Sequence, residues 1–560
     1  SGPMLVLAGP GSGKTTVILH RIERLIATGT APNRILVITF SRAAVEEMKQ
    51  RYSAMKGTPG VCFATFHSLF FRILRNAFGY GTDRLLSEEE GMKLQQQVFG
   101  EMGLSVQDEQ EYLSVFRLNY GKWKNSLQAK ETFTPEGMER EIFFRWTEGY
   151  EKKKELQDKM DFDDILTECY ALLEQEKRLR KAWQNRFDAI LVDEFQDINA
   201  IQYACVKLLL DERNNLFAVG DDDQSIYGFR GSNPSFLLDF FQDFPGAGKV
   251  TLDVNYRSAP KIVRFCEEVI EKNQARFPKA MKSSRPAGGS VRIFSAEDIG
   301  KEAKRIAQLA QKLHPQTPWE EMAIICRTNL QCASFATALE DAGIPYCLQE
   351  SLPELGRHWI TLDFAAYLMA AYEDWDDGLL RIINKPKRYV TKELTAQAKR
   401  MPYSLLRAYF ACPLLEKWQE TALIRLRDDL KQIKKREPFQ ALRYIRQVVG
   451  YDEYLTEYAA FRKINAANLL DIAQTVTELS QNCQTVQQWK DKLERLKNAS
   501  STQRKLRGDQ KGVHILTMHS AKGLEFDTVF LPQLIEGKVP HEKSLTQGEL
   551  EEERRLYYVA

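Results

Sequence analysis

Short apolar runs alternate with longer amphipathic segments over the first 80 residues of the chain. The runs predict strands and the segments between them predict helices, in the order strand 4–8, helix 14–28, strand 34–40, helix 42–55, strand 61–65 and helix 67–78. Strands that are apolar along their whole length belong to parallel sheets covered by helices on both faces. The pattern therefore predicts an α/β domain.

The alternation is interrupted twice by long helical stretches. Residues 81–185 are rich in Glu, Lys, Gln and Leu with helical spacing, after which strands resume over 188–197 and 215–224. A second alternating block follows, with strands over 249–254, 290–295 and 321–327 and helices over 260–272, 300–313 and 331–342. A second helical stretch ends in residues 498–512, whose polar, basic composition is typical of a linker, and strands return over 513–519 and 527–533.

The predicted fold class is α/β, with two parallel-sheet domains that are each interrupted by a mainly helical insertion. We assign 1–80 and 186–245 to the first domain, 81–185 to its insertion, 246–372 and 511–560 to the second domain, and 373–510 to the second insertion.

Composition excludes several classes of protein. Among 560 residues, 78 Lys and Arg balance 76 Asp and Glu, so any basic surface for a nucleic acid must be local. Nine scattered Cys without a C-x-x-C pair argue against a zinc or iron–sulfur site and fit a reducing cytoplasm. No apolar run has the length needed to span a bilayer, so no membrane partner is expected.

The clearest local concentration of charge lies in residues 381–407, where eight Lys and Arg face one acid, Glu393. Such a stretch is a candidate contact for duplex DNA, and a solvated helix face is an equally good interpretation.

Residues 4–16, MLVLAGPGSGKTT, have the order strand, glycine-rich turn and helix start that a P-loop requires. Backbone N–H groups of such a turn and the helix N-terminus converge on phosphate. Lys14 is expected to reach the β- and γ-phosphates and Thr15 to bind Mg²⁺. The whole turn, Gly11, Ser12, Gly13, Lys14, Thr15 and Thr16, is the expected nucleotide-binding segment.

Three further segments carry candidate chemistry. In VDEFQD (192–197), Asp193 suits Mg²⁺ and Glu194 suits a base that activates water, although two such carboxylates can also cap a helix. In DDDQSIYGFRGS (221–232), Gln224 can sense a γ-phosphate, and Tyr227 and Phe229 can stack on bases or serve as core aromatics. In NYRS (255–258), Tyr256 can stack on adenine and Arg257 can act as an arginine finger, with a surface salt bridge as the alternative.

Together these segments resemble the motifs of the UvrD/Rep/PcrA-like superfamily 1 DNA helicases, and the resemblance covers the whole chain. The motifs are AGPGSGKTT (8–16), ITFSRAAVEEM (38–48), ATFHSL (64–69), VDEFQD (192–197), AVGDDDQSIYGFRGS (218–232), NYRS (255–258), TMHSAKGLEFDTVF (517–530) and EEERRLYYVA (551–560).

The resemblance implies two RecA-like P-loop NTPase domains with ATP and Mg²⁺ in the cleft between them and single-stranded DNA across them. It implies roles in ATP hydrolysis for Lys14, Thr15, Asp193, Glu194, Gln224 and Arg257. Tyr256 would stack on the adenine and Glu525 would meet the ribose. The implied DNA contacts are Phe40, His67, Tyr227, Phe229, His519 and Lys522.

Departures from the family pattern change these expectations. Ser41-Arg42 replaces the usual Asn-Lys pair after Phe40, which weakens the case for a phosphate contact there. Phe229 stands where the family usually has Trp, which keeps stacking with a smaller surface. The sequence begins after the position of the family's adenine-binding Gln motif and ends at Ala560, before its second γ-phosphate arginine. The chain as written is therefore expected to hydrolyse ATP poorly.

The resulting hypothesis is an ATP-dependent 3′→5′ single-stranded DNA translocase and helicase that acts at single-strand/duplex junctions in the cytoplasm, in a pathway such as DNA repair. Its polarity rests on the resemblance alone, and an activating protein partner is unidentified. The alternatives are a translocase that does not unwind, a helicase subunit of an AddA/RecB-like helicase–nuclease, and a nucleotide-gated DNA-binding protein without turnover.

Overall fold

A computed structural model describes residues 2–104, 109–349, 355–372, 375–462, 466–505, 512–541, 544 and 546–560. The chain forms two compact units. The first comprises Ser1–Ile293 and Pro540–Val559, and the second comprises Phe294–Val539 with Ala560.

The first unit contains a six-stranded sheet in which each strand is parallel to its neighbours. The spatial order is Cys62–Thr65, Ile35–Thr39, Ala189–Val192, Leu216–Gly220, Met4–Ala8 and Gly248–Leu252. Successive residues of the inner strands enter two different cores: Leu36 and Ile38 pack on one face, and Ile35 and Val37 on the other. This arrangement confirms the parallel α/β sheet that the continuous apolar runs predict.

The helices of the first unit cover both faces of this sheet and form the insertion. Their bounds are Lys14–Ala27, Arg42–Ala54, Phe66–Phe78, Glu88–Glu101, Glu109–Asn125, Arg140–Leu156, Phe162–Gln175, Lys177–Gln184, Ala200–Leu209, Ser235–Leu238, Phe240–Asp243, Pro260–Ile270 and Gln547–Val559. Within the insertion, Phe116 stacks on the buried Trp146 at 4.2 Å between ring centroids, in a core of its own.

Two segments that the sequence places in the second domain pack in the first unit instead. Strand Gly248–Leu252 pairs with Met4–Ala8 at the edge of the first sheet. Helix Gln547–Val559 lies in the first unit, where the Glu551 carboxylate accepts hydrogen bonds from the backbone N–H groups of Gln274 and Ala275 at 2.9 and 3.2 Å. The segment that follows the edge strand therefore also lies beside the first sheet, where Val254–Asn255 pairs with Lys282–Ser283.

The second unit contains a four-stranded parallel sheet in the order Tyr346–Leu348, Val513–Thr517, Met322–Cys326 and Thr528–Phe530. Its helices are Ile299–Leu313, Asn329–Asp341, Trp359–Tyr372, Asp376–Ile382, Lys392–Ala398, Leu405–Ala411, Lys417–Ile433, Pro438–Gln447, Tyr451–Arg462, Ala466–Glu478 and Val486–Lys505. Within the described residues, none of the helices of either unit has the length and apolar character of a membrane span.

Two predictions for the second domain are wrong in detail. Residues 290–295 form no strand and are exposed, because no neighbouring strand pairs with them to bury their alternating apolar side chains. The predicted linker 498–512 is helical as far as Lys505, and residues 506–511 lie outside the described residues.

The basic stretch 381–407 is partly internal to the fold. The fully buried Asp363 carboxylate binds Arg381 Nε at 2.6 Å, Lys385 Nζ at 2.8 Å and the Tyr451 hydroxyl at 2.7 Å. Arg388 is also buried and donates to the carbonyl oxygens of Ile382 and Ile383. Three of the eight cations thus stabilise the second insertion, and a nucleic-acid contact would fall to the exposed remainder of the stretch.

We expect Asp363→Ala to destabilise the second unit by about 3–5 kcal/mol, because it leaves two cations without their buried partner. Urea unfolding followed by circular dichroism measures this change. The matched control is Asp428→Ala in the same unit, whose pair with Lys431 is exposed, so that we expect a change of at most about 1 kcal/mol. Equal effects of the two substitutions would contradict a structural role of the Asp363 cluster.

Candidate nucleotide and nucleic-acid site

The turn after strand Met4–Ala8 has the conformation of a phosphate-binding loop. Gly11 and Gly13 have φ angles of +63° and +86°, which favour glycine, and Gly13 precedes the first turn of helix Lys14–Ala27. The Ser12 hydroxyl donates to the Gly9 carbonyl oxygen at 2.7 Å and closes the turn. Thr15 and Thr16 occupy the first turn of the helix, whose free N–H groups and positive dipole end favour phosphate.

The NYRS segment lies directly on this turn, within the same unit. Asn255 Nδ2 donates to the Pro10 carbonyl oxygen at 2.9 Å, and the Tyr256 N–H donates to the Gly11 carbonyl oxygen at 2.9 Å. A Cβ at Gly11 would lie 2.6 Å from Arg257 Cβ, so glycine is required here by close approach as well as by φ. Tyr256 and Arg257 thus lie beside the P-loop, and Tyr256 is 61% exposed. Asn255 attaches the motif to the P-loop turn, a contact that the sequence alone does not indicate.

Lys14, which follows strand Met4–Ala8, contacts side chains that follow two other strands. Its Nζ lies 3.4 Å from Glu194 Oε1 and donates to Gln224 Oε1 at 3.3 Å. Glu194 follows strand Ala189–Val192 with a positive φ of +49°, a strained conformation for a residue with a side chain.

Gln196 connects the two strand ends that meet at Lys14. Its Nε2 donates to Glu194 Oε2 at 2.5 Å, and its Oε1 accepts from the Asp221 N–H at 2.9 Å. The sequence predicts Glu194, Gln224 and Lys14 in one site, but it does not identify the bridging role of Gln196.

Asp193 is buried at the end of the same strand. Burial, and after it the charge of Glu194, raise the pKa of its carboxyl to about 7. A carboxylate whose charge is this unfavourable gains from a cation, and carboxylate with hydroxyl oxygen is the donor set that Mg²⁺ prefers. The residues therefore fit the expected magnesium ion, with Asp193 and Thr15 as the groups that would hold it.

Asp221, Asp222 and Asp223 form a second acidic cluster, whose carboxylates lie close enough together to bind a metal ion. The buried Lys279 ammonium ion-pairs with all three, at 2.5 Å from Asp221 and 2.9 Å from Asp223, and Arg276 forms two hydrogen bonds to Asp223 at 2.8 and 2.7 Å. Although burial opposes its charge, Lys279 lowers the pKa of Asp221. Two protein cations therefore pair with this cluster, which holds Gln224 through Asp221, the acceptor from Gln224 Nε2 at 2.6 Å.

A group of aromatic rings forms where the segment after Gln224 packs against Phe40. Phe40 and Tyr227 stack nearly parallel, at 5.6 Å between centroids and 6° between planes, and Phe229 lies 6.1 Å from Tyr227. The Arg230 guanidinium lies over both Tyr227 and Phe229, at 5.5 and 5.4 Å. Phe40 is 39% exposed, so this group presents a π-face and a cation at the surface of the unit.

The remaining predicted DNA contacts are less uniform. His67 is partly buried and packs edge-on against Phe162 at 5.8 Å, and burial lowers its pKa, which favours the neutral ring. In the second unit, His519, Lys522 and the exposed Glu525 follow strand Val513–Thr517 at its carboxyl end. That loop is closed by backbone bonds from Ala521 to Thr517 at 3.0 Å and from Leu524 to Ala521 at 3.0 Å.

Comparison with known proteins agrees with this geometry. Residues 1–245 match the UvrD/REP helicase N-terminal domain, and residues 250–560 match the UvrD-like helicase C-terminal domain. The chain is 32% identical to the ATP-dependent DNA helicase Rep of Escherichia coli over 100% of its own length and 87% of that protein. It is 30% identical to the ATP-dependent DNA helicase PcrA of Bacillus subtilis over 100% of its own length and 79% of that protein. With two RecA-like domains, the chain belongs to the UvrD/Rep/PcrA-type family of ATP-dependent DNA helicases.

Proposed function

We propose that this ATP-dependent DNA helicase translocates 3′→5′ along single-stranded DNA and separates duplex at single-strand/duplex junctions, with ATP and Mg²⁺ bound at the P-loop. The observation that carries the proposal is the loop 221–231. One part of it holds Gln224 on Lys14, and the next part carries Tyr227 and Phe229 in the aromatic group. A single short segment thus connects the phosphate-binding lysine to the base-stacking rings.

At the phosphate end, the P-loop N–H groups and Lys14 bind the β- and γ-phosphates. Glu194 orients and deprotonates the attacking water, and Gln224 contacts the γ-phosphate through an amide that both donates and accepts. Asp193 and Thr15 hold Mg²⁺, which neutralises phosphate charge when bound. Arg257 stabilises the charge that develops on the γ-phosphate, and Tyr256 stacks on the adenine.

At the nucleic-acid end, Phe40, Tyr227 and Phe229 stack on bases without reading their sequence, which suits a motor that passes along any strand. The proposed contacts of His67, His519 and Lys522 with DNA, and of Glu525 with the ribose, rest on the family resemblance. So do the 3′→5′ polarity and the cytoplasmic location.

Lys14→Ala is expected to lower single-stranded-DNA-stimulated ATPase activity by at least about 100-fold, because it removes the cation that meets the transferred phosphate. A malachite-green phosphate assay measures turnover, and a fluorescent ATP analogue measures binding independently of turnover. The control is Lys49→Ala in the same unit, an exposed residue paired with Glu46, for which we expect no change. Stimulated turnover that survives Lys14→Ala would contradict the proposed site.

Tyr227→Ala is expected to weaken binding of oligo-dT by about 1–3 kcal/mol, because one base loses its stacking partner. Fluorescence anisotropy of a labelled oligonucleotide measures this affinity at fixed salt concentration. Phe78→Ala is the matched control, since Phe78 is an exposed aromatic that stacks on Tyr80 in the same unit, outside the site. Equal losses for both variants would show that the aromatic group is not the DNA contact.

Strand displacement on duplexes with either a 3′ or a 5′ single-stranded tail tests polarity and unwinding together. Because the chain as written is expected to hydrolyse ATP poorly, we expect slow displacement of the partner strand, and only from the 3′-tailed substrate, with ATP and Mg²⁺ present. Preference for the 5′ tail would overturn the proposed direction. ATP-driven movement along single strands without displacement from either substrate would favour the translocase that does not unwind.

A further inference from the structure

Helix Gln547–Val559 and the segment 273–279 are joined into one body, called here the clamp. Asn273 Nδ2 donates to the Glu551 carbonyl oxygen at 3.0 Å. The Glu551 carboxylate accepts from the backbone N–H groups of Gln274 and Ala275. Arg555 Nη2 donates to the Ala275 carbonyl oxygen at 2.8 Å. These bonds connect residues more than 270 positions apart in sequence, and they make the helix and the segment one support.

The clamp holds the loop 221–231 at two separate points. Near the start of the loop, Lys279 and Arg276 bind the three aspartates that precede Gln224. Further along, the Gly228 N–H donates to Glu552 Oε1 at 3.0 Å. Gly228 stands between Tyr227 and Phe229, so the carboxylate of Glu552 fixes the backbone between the two rings.

The Glu552 carboxylate lies where a side chain at position 228 would begin. A Cβ at this position would lie 2.5 Å from Glu552 Oε2 and 2.9 Å from Oε1. The φ angle of Gly228 is not among the positive ones, so its backbone conformation is open to other residues. The absence of a side chain at position 228 therefore leaves the Glu552 carboxylate room to accept from the Gly228 N–H.

We propose that Glu552 is a positioning residue for the Tyr227–Phe229 rings, and that it keeps them in the geometry in which they bind DNA. The inference rests on the proposed DNA contact of these rings. We do not propose a direct contact of Glu552 with DNA or nucleotide. It acts through one hydrogen bond to the Gly228 N–H, which attaches the Tyr227–Gly228 peptide to helix Gln547–Val559. The carbonyl oxygen of the same peptide accepts from the Arg230 N–H at 2.9 Å, so loss of the charged acceptor detaches this short turn from the helix as a unit.

The first test compares Glu552→Ala with Glu552→Gln in the full chain, using fluorescence anisotropy of labelled oligo-dT. Glu552→Ala removes the acceptor, so we expect the Kd to rise about tenfold. Glu552→Gln removes the charge but keeps an acceptor oxygen, so we expect it to restore the affinity to within about threefold of the wild type. Tighter binding of both variants would show that Glu552 acts by repelling DNA phosphates, and this result would overturn the proposal.

The second test approaches the same contact from the other side. Gly228→Ala displaces the carboxylate, and we expect it to weaken oligo-dT binding by about as much as Glu552→Ala. Because both changes break the same hydrogen bond, we expect the Kd of the double variant to lie within about twofold of that of either single variant. Additive losses would mean that the two positions act independently, which contradicts the proposed contact.

Controls separate positioning from general damage and from failure of the proposed function. Glu549→Ala, on the same helix, removes a carboxylate that accepts from Thr546, and we expect oligo-dT binding to remain at the wild-type level. If Tyr227→Ala also leaves binding unchanged, the proposed DNA contact fails and the inference fails with it. If Tyr227→Ala weakens binding and Glu552→Ala does not, the proposed function stands and only the role of Glu552 is overturned.

Discussion

The contacts of the Lys14 ammonium with Glu194 and Gln224 are the interactions on which the rest of the site depends. It is possible because all strands of the first sheet are parallel, so that the P-loop and the ends of two other strands lie at one edge. Gln196 holds those two strand ends together. The three residues that we propose as base, γ-phosphate sensor and phosphate-binding lysine are thus placed by backbone topology, and side-chain contacts complete the arrangement.

Charge balance at this edge distinguishes two acidic groups that look alike in sequence. Lys279 is buried among Asp221, Asp222 and Asp223, and it holds the pKa of Asp221 below its usual range. Asp193 has Glu194 as its neighbour, and its pKa is raised to about 7. The ion pairs of Lys279 and Arg276 give the aspartate triplet a structural role, and Asp193 is the carboxylate that we propose as the magnesium ligand.

The sequence predicts what is local and fails where partners are distant. Continuous apolar runs specify the inner strands, and the P-loop motif specifies its own turn, because both depend on neighbouring residues. The prediction places strand Gly248–Leu252 in the wrong sheet, because the sequence of an exposed edge strand does not indicate which strand it pairs with. Asn255, Lys279 and Glu552 acquire their roles from residues up to 324 positions away, and a single sequence carries no signal of such contacts.

The two attachments of the loop 221–231 differ in strength, and the difference suggests how its two ends behave. At the Gln224 end, several ion pairs are buried, and breaking any of them leaves an uncompensated charge in a dry environment. At the ring end, Gly228 donates to the partly exposed Glu552 carboxylate, and the turn is closed by main-chain hydrogen bonds to the carbonyl oxygens of Tyr227 and Gly228. The Gln224 end of the loop is therefore held by buried ion pairs, whereas the ring end is held by main-chain hydrogen bonds and one carboxylate.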